Sequence, residues 1–264
     1  MTRSSHWIMI TAAGLFSVSE PVMAAGCQAH SLPHRVSVLE LYTSEGCSSC
    51  PPADRWLSAL PQHGIDASMV IPLAFHVDYW NQLGWPDRFS QAGFGDRQRQ
   101  IADRLGSGVI YTPQLVLDGR DLRLIGGMEK LQKSVAAANQ QSPGAQIDVR
   151  VEHTAQGLAI SAQVVVPDPA LRPKAQAWIA VFENGLSSRV SRGENAGRNL
   201  SHDFVVRELL GPFSLDREGR AQLQHTARNG ADWNLDNVGV ALMVQRKDNG
   251  EYLQATLAPA ACRS

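Results

Sequence analysis

Two cysteines separated by two serines, Cys47-Ser48-Ser49-Cys50, stand where one sequence pattern gives way to another. Residues 36–42 before them are rich in apolar, β-branched and aromatic side chains and read as a strand. Residues 51–60 after them open on Pro51-Pro52, which suits the first turn of a helix. A strand, a close cysteine pair and a helix in that order put both sulfurs at the helix N-terminus, where a thiolate is stabilised. The alternation continues with a strand over 69–76, a helix over 90–105, a hairpin of 115–117 and 122–125 about Asp118-Gly119, and a helix over 128–139. Such alternation predicts an α/β domain over residues 33–140.

Residues 140–145, Gln-Gln-Ser-Pro-Gly-Ala, have the composition of a linker, and the pattern changes beyond them. Short strand-like runs follow at 147–151, 158–164, 177–182, 204–206, 221–224, 238–244 and 252–256, a spacing that predicts an all-β sandwich-like domain over 146–260. The loop 193–198, Gly-Glu-Asn-Ala-Gly-Arg, reads as an exposed, structured loop, either a domain contact or a turn. Hydrophobic content of 44% against 19% charged residues is that of a packed chain. With 24 Lys and Arg against 25 Asp and Glu, no positive field recommends nucleic acid as a partner.

The N-terminus carries Arg3 and then an apolar run, 7–16, too short to span a bilayer; Val22-Met23-Ala24 supplies the small residues of a cleavage site. Residues 1–25 are therefore expected to be a signal peptide, with no transmembrane segment in the mature chain and a periplasmic or secreted location. Four cysteines follow, Cys27, Cys47, Cys50 and Cys262, an even number for an oxidising compartment. Cys27 and Cys262, at the two ends of the mature chain, are expected to form a structural disulfide. The alternative for Cys27 is lipidation, since Ala24-Ala25-Gly26-Cys27 loosely matches the end of a lipoprotein signal.

For Cys47 and Cys50 three readings stand side by side: a redox pair, an inert bridge, and half of a metal site. In the first, Cys47 attacks a disulfide in another molecule and Cys50 resolves the mixed disulfide. Pro51 and Pro52 lack the N–H groups that would sharpen the positive helix end, and Ser48 and Ser49 add no charge. Zinc would want two further ligands, and no second close cysteine pair exists; a copper-binding variant would add His76 to the two thiolates. Glu40 and Glu45 flank the pair as candidate proton carriers, Glu40 the better placed if it points beneath the cysteines. The aromatics Tyr79, Trp80, Trp85, Phe89 and Phe94 read as loop packing ahead of a binding platform.

Segments 38–54, 75–87 and 111–119, with 192–202 further on, resemble a family of secreted thioredoxin-like bacterial proteins of unknown function. The resemblance implies an α/β thioredoxin-like N-terminal domain. It also implies that Pro113, after Thr112, is the cis-proline that faces the cysteine pair in that group, so that Thr112 and Pro113 would bind substrate. The function expected from residues and resemblance together is thiol-disulfide exchange on exported protein thiols or disulfides, without a cofactor. The alternatives are a copper-binding or other metal-binding chaperone, and a non-catalytic interaction protein with a structural Cys-x-x-Cys bridge.

Overall fold

The computed structural model describes residues 26–123, 127–228 and 232–259. Fourteen strands and three α-helices run through them: β1 Cys27–His30, β2 Ser37–Thr43, α1 Pro51–Ser58, β3 Val70–His76, α2 Ala92–Arg104, β4 Gln114–Leu117, β5 Arg120–Asp121, α3 Gly127–Asn139, β6 Gln146–Thr154, β7 Gly157–Val165, β8 Ala175–Glu183, β9 Leu186–Arg189, β10 Asn199–His202, β11 Val205–Ser214, β12 Arg220–Ala227, β13 Val238–Arg246 and β14 Tyr252–Pro259. The expected signal peptide lies outside the described residues, and among those residues no helix is long and apolar enough to cross a membrane.

The topology overturns the expected fold class, an α/β thioredoxin-like domain followed by an all-β sandwich. The chain is mostly β, and strands from both halves share one eight-stranded sheet of order β14-β13-β8-β11-β3-β2-β4-β5. The halves meet at a short parallel contact, Val205 opposite Ala74, where the Ala74 N–H donates to the Phe204 carbonyl at 2.8 Å. A four-stranded sheet, β1-β6-β7-β12, likewise draws β1 from the start of the chain onto β6. Local alternation of strand and helix character marks most of the elements, though not β1, β9 or β10, and the second hairpin strand lies at Arg120–Asp121, ahead of the expected 122–125; it carries no information on which strands pair across a hundred residues.

Side-chain alternation along the buried strands then sorts the apolar residues into layers. Leu39 and Leu41 of β2 face Ala53 and Leu57 of α1 and Leu131 and Val135 of α3. Val38 and Tyr42 face the other way, into a core where Phe75 and Phe94 meet Trp178, Phe182, Met243 and Tyr252 from the second half. The four-stranded sheet packs its apolar face, with Val149, Ile160 and Val164, on Ile179, Val181, Val240 and Leu242.

Polar side chains bind the halves as well. The Arg35 guanidinium donates to Gln141 (2.9 Å), Glu251 (2.8 Å) and Asp118 (2.7 Å), and the Gln254 side chain accepts from the Val36 N–H and donates to the Leu32 and His34 carbonyls. Asp118 and Gly119 turn the β4–β5 hairpin with φ of 48° and 78°. A Cβ on Gly119 would stand 2.4 Å from the Gly250 carbonyl oxygen, so the turns of two distant hairpins touch where only glycine fits.

Candidate functional site

Strand β2 ends at Thr43, and the chain turns through residues 44–50 into α1. The turn is closed by Cys47 N–H donating to the Ser44 carbonyl and Cys50 N–H to the Cys47 carbonyl, both at 3.2 Å. Cys50 is the residue before the helix and its carbonyl accepts from Ala53 and Asp54, while Pro51 and Pro52 occupy positions that need no donor. Cys47 and Cys50 form a disulfide with Cα atoms 5.4 Å apart. Both are 0% exposed, whereas Ser48 and Ser49 between them face solvent.

The cover comes from the second half of the chain. Strands β9 and β10 form a two-stranded hairpin that leaves the large sheet between β8 and β11, and its tip lies on the cysteine turn. The Asn195 amide donates to the carbonyls of Glu45 (2.8 Å) and Cys47 (2.9 Å), and the Ser48 N–H donates to Glu194 (2.9 Å). The loop read from sequence as exposed structure, a domain contact or a turn, is thus the lid of the cysteine pair. Its only sequence mark is the pair of glycines, Gly193 and Gly197, both at positive φ, that bracket Asn195.

Beneath the lid lies a buried ionisable cluster from five segments: Glu45, Asp54 of α1, His76 of β3, Asp87, and His202 of β10. His76 Nδ1 and the Asp87 carboxylate are 2.7 Å apart, and the same carboxylate accepts from the Glu45 and Phe89 N–H groups. His202 stands between two acids, Nε2 at 3.3 Å from Glu45 and Nδ1 at 3.8 Å from Asp54. Trp85 donates its indole N–H to Glu45, and the rings of His76 and His202 meet edge to face 4.9 Å apart.

Burial opposes a charged imidazole at His76, but Asp87, with Asp54 and Glu45 behind it, outweighs that and raises its pKa. Burial also opposes the Asp87 carboxylate, and His76 with the two backbone donors outweighs it and lowers that pKa. At Asp54 burial wins over His202, His76 and the Thr43 hydroxyl, and the pKa is raised. A raised imidazole pKa stabilises the fold fully below its ordinary value of about 6.5, and the gain is lost as pH climbs through the folded value. The depressed Asp87 pKa adds stability above the ordinary carboxylate range and loses it in acid. The stability lost on replacing His76 by Gln is therefore expected to be greatest near pH 5–6 and to shrink towards pH 9, by a few degrees of melting temperature; thermal unfolding across that range checks it.

The other sequence candidates fall in different places. Glu40 lies on the sheet face opposite α1, where it accepts from Arg97, Tyr42 and Tyr252; it cannot serve the cysteines, and the buried carboxylates near them are Glu45 and the unforeseen Asp54. His76 is engaged with Asp87, and among the described residues no group of three His, Cys, Asp or Glu side chains is placed to hold a metal ion. The Thr112–Pro113 bond is cis, and the Thr112 hydroxyl accepts from the Trp80 indole at 2.8 Å. Phe89 and Phe94 are buried, and Tyr79, Trp80 and Trp85 are half-buried, as loop packing requires. Cys27 is buried in β1, and its expected partner Cys262 lies outside the described residues. A cleft of about 490 Å³ between the 182–184 and 236–239 segments and β14 shares none of the cysteine-site residues.

The profile of a family described as DUF1223, proteins of unknown function, matches residues 38–245, which span the cysteine turn, the ionisable cluster and the lid. The chain belongs to that family. Among solved structures, protein AGR_C_4864 from Agrobacterium tumefaciens is similar at 24% identity with a TM-score of 0.64, covering 87% of this chain and 97% of that one. HBP35 of Porphyromonas gingivalis is similar at 14% identity with a TM-score of 0.67, covering 89% of this chain and 80% of that one. At these identities the likeness is one of fold. No curated protein matches this DUF1223 member.

Proposed function

We propose that this DUF1223 protein is a non-catalytic interaction protein of the periplasm or the exterior, in which the Cys47–Cys50 disulfide is a structural bridge. The observation that carries the reading is the complete burial of both sulfurs under a lid that hydrogen-bonds to the cysteine turn itself. A persistent disulfide suits an oxidising compartment, as does the signal-like N-terminus. A Cys27–Cys262 bridge belongs to the same reading and is checked by peptide mapping of the unreduced protein.

Equilibration with glutathione tests the role of the bridge. A structural disulfide is expected to have a potential below about −300 mV, and a value between about −120 and −270 mV overturns the reading. For a loop closed over three residues of separation, Cys47→Ser and Cys50→Ser are each expected to cost about 2 kcal/mol of unfolding free energy, and equally.

One observation favours thiol-disulfide exchange as a second reading. Cys47 precedes the first turn of α1 with Ser48 and Ser49 exposed beside it, so a partner could reach the pair once the lid is displaced. Cys47 would then attack, Cys50 resolve, and Thr112 and Pro113 flank an exported protein substrate. On that reading Cys50→Ser accumulates mixed disulfides and Cys47→Ser does not; two equally silent mutants sustain the structural bridge.

A further inference from the structure

We propose that the tip of the β9–β10 hairpin, residues 191–199, is a gate over the Cys47–Cys50 disulfide that lifts while the rest of the protein stays folded. The inference deepens the structural-bridge reading by saying how a buried bridge becomes reachable, and it rests on the lid geometry that supports that reading.

The tip and the root of the hairpin are held by different physics. At the root, Val190 and Leu200 are buried, His202 sits between Glu45 and Asp54, and Arg88 donates to the Ser187 carbonyl. In the tip, Asn195 is the sole buried side chain of nine residues, and every neighbour from Ser191 to Asn199 is exposed. No apolar side chain of the tip is buried, and its apolar contact is the Gly193 backbone against Trp85. Its hold on the cysteine turn consists of the two Asn195 amide bonds and the Ser48–Glu194 bond, with the Asn195 carbonyl oxygen steadied by Arg198 at 3.0 Å.

Segments that bury little apolar surface and rest on a few hydrogen bonds open at a small fraction of the global unfolding free energy. Gly193 and Gly197, at φ of 76° and 81°, give the backbone freedom on either side of Asn195. Once it lifts, the carbonyls of Glu45 and Cys47 and the N–H of Ser48 turn to solvent, and the approach to Cys47 opens. An incoming thiolate then bonds to Cys47 Sγ as the Cys47–Cys50 bond breaks and Cys50 leaves as a thiolate. With dithiothreitol, its second thiol, once deprotonated, attacks its own mixed sulfur, closing the cyclic disulfide and releasing Cys47 as a thiolate; the reagent loses the two electrons the pair gains.

The test is the rate of reduction by dithiothreitol under native conditions, read by alkylation and mass, beside the global unfolding rate of the same samples. The wild type is expected to be reduced faster than it unfolds. Asn195→Ala should be reduced on the order of tenfold faster or more, since two bonds holding the closed state are gone. Asn195→Asp, which sets a carboxylate against two carbonyls, should be at least as fast. Glu194→Ala, at an exposed site that leaves the fold intact should the Asn195 variants not, should give a smaller increase. Equal reduction rates in all four proteins, matching the unfolding rate, overturn the gate. The equilibrium potential measured on the same samples separates the two ideas: a value in the catalytic range overturns the structural bridge and leaves the gate standing, whereas equal rates overturn the gate alone.

Discussion

Residues 33–140 expressed alone are expected not to fold cooperatively, although they hold β2–β5, all three helices and the cysteine pair. The cut removes Trp178, Phe182, Met243 and Tyr252 from the core they share with Tyr42, Phe75 and Phe94, and strips β3 of its β11 neighbour in the sheet. At about 1.5–3 kcal/mol per large buried side chain, the lost burial is comparable to the whole net stability of a typical domain. The cut also strips Arg35 of Glu251 and leaves the Val36 N–H without the Gln254 side chain. Thermal unfolding by circular dichroism and elution volume on size exclusion read the outcome against the full chain. A single sharp transition in the fragment would show that the core is not shared in the way described.

Arg97→Leu is expected to lower the unfolding free energy by about 3–5 kcal/mol, because it strands a carboxylate in the interior. Arg97 on α2 meets Glu40 with Nε at 2.9 Å and a terminal nitrogen at 3.1 Å, and the Tyr42 and Tyr252 hydroxyls each donate to Glu40 at 2.7 Å. Burial presses the Glu40 pKa upward, but Arg97 and the two tyrosines overcome it and hold it below the usual carboxylate range. The guanidinium also lies over Trp178, 4.8 Å from the ring centroid, so the variant loses packing with the charge. Removing both charges in Glu40→Leu/Arg97→Leu should recover much of the loss, since a buried pair is costly to break and far less costly to replace by apolar groups. Urea unfolding with an unchanged dependence on denaturant is the measurement.

The elements were largely legible in the sequence because their signals are local. Residues 36–42, 69–76 and 238–244 lie within a residue or two of β2, β3 and β13, and Asp118-Gly119 marks the hairpin it turns. The partners were not legible. The alternation of Leu39, Glu40 and Leu41 says that Glu40 faces away from the leucines, yet nothing near it announces Arg97, 57 residues on, or Tyr252, 212 residues on. Strands β9 and β10 are four residues each with a single apolar residue, so periodicity is silent there, and with them went the lid. Asp54 in the first turn of α1 and His202 in β10 carry no local signal of each other; only the folded chain brings them together beside the cysteine turn.

The contact of Ala74 with Val205 in mid-sheet also bears on the order in which the chain can fold. Strand β3 is complete early in synthesis, but its neighbour β11 lies some 130 residues later and β14, which supplies Tyr252, later still. Pairings of such separation close slowly, and a chain halted before them keeps an apolar face uncovered. The nascent chain therefore has no complete fold to adopt until its last strands exist.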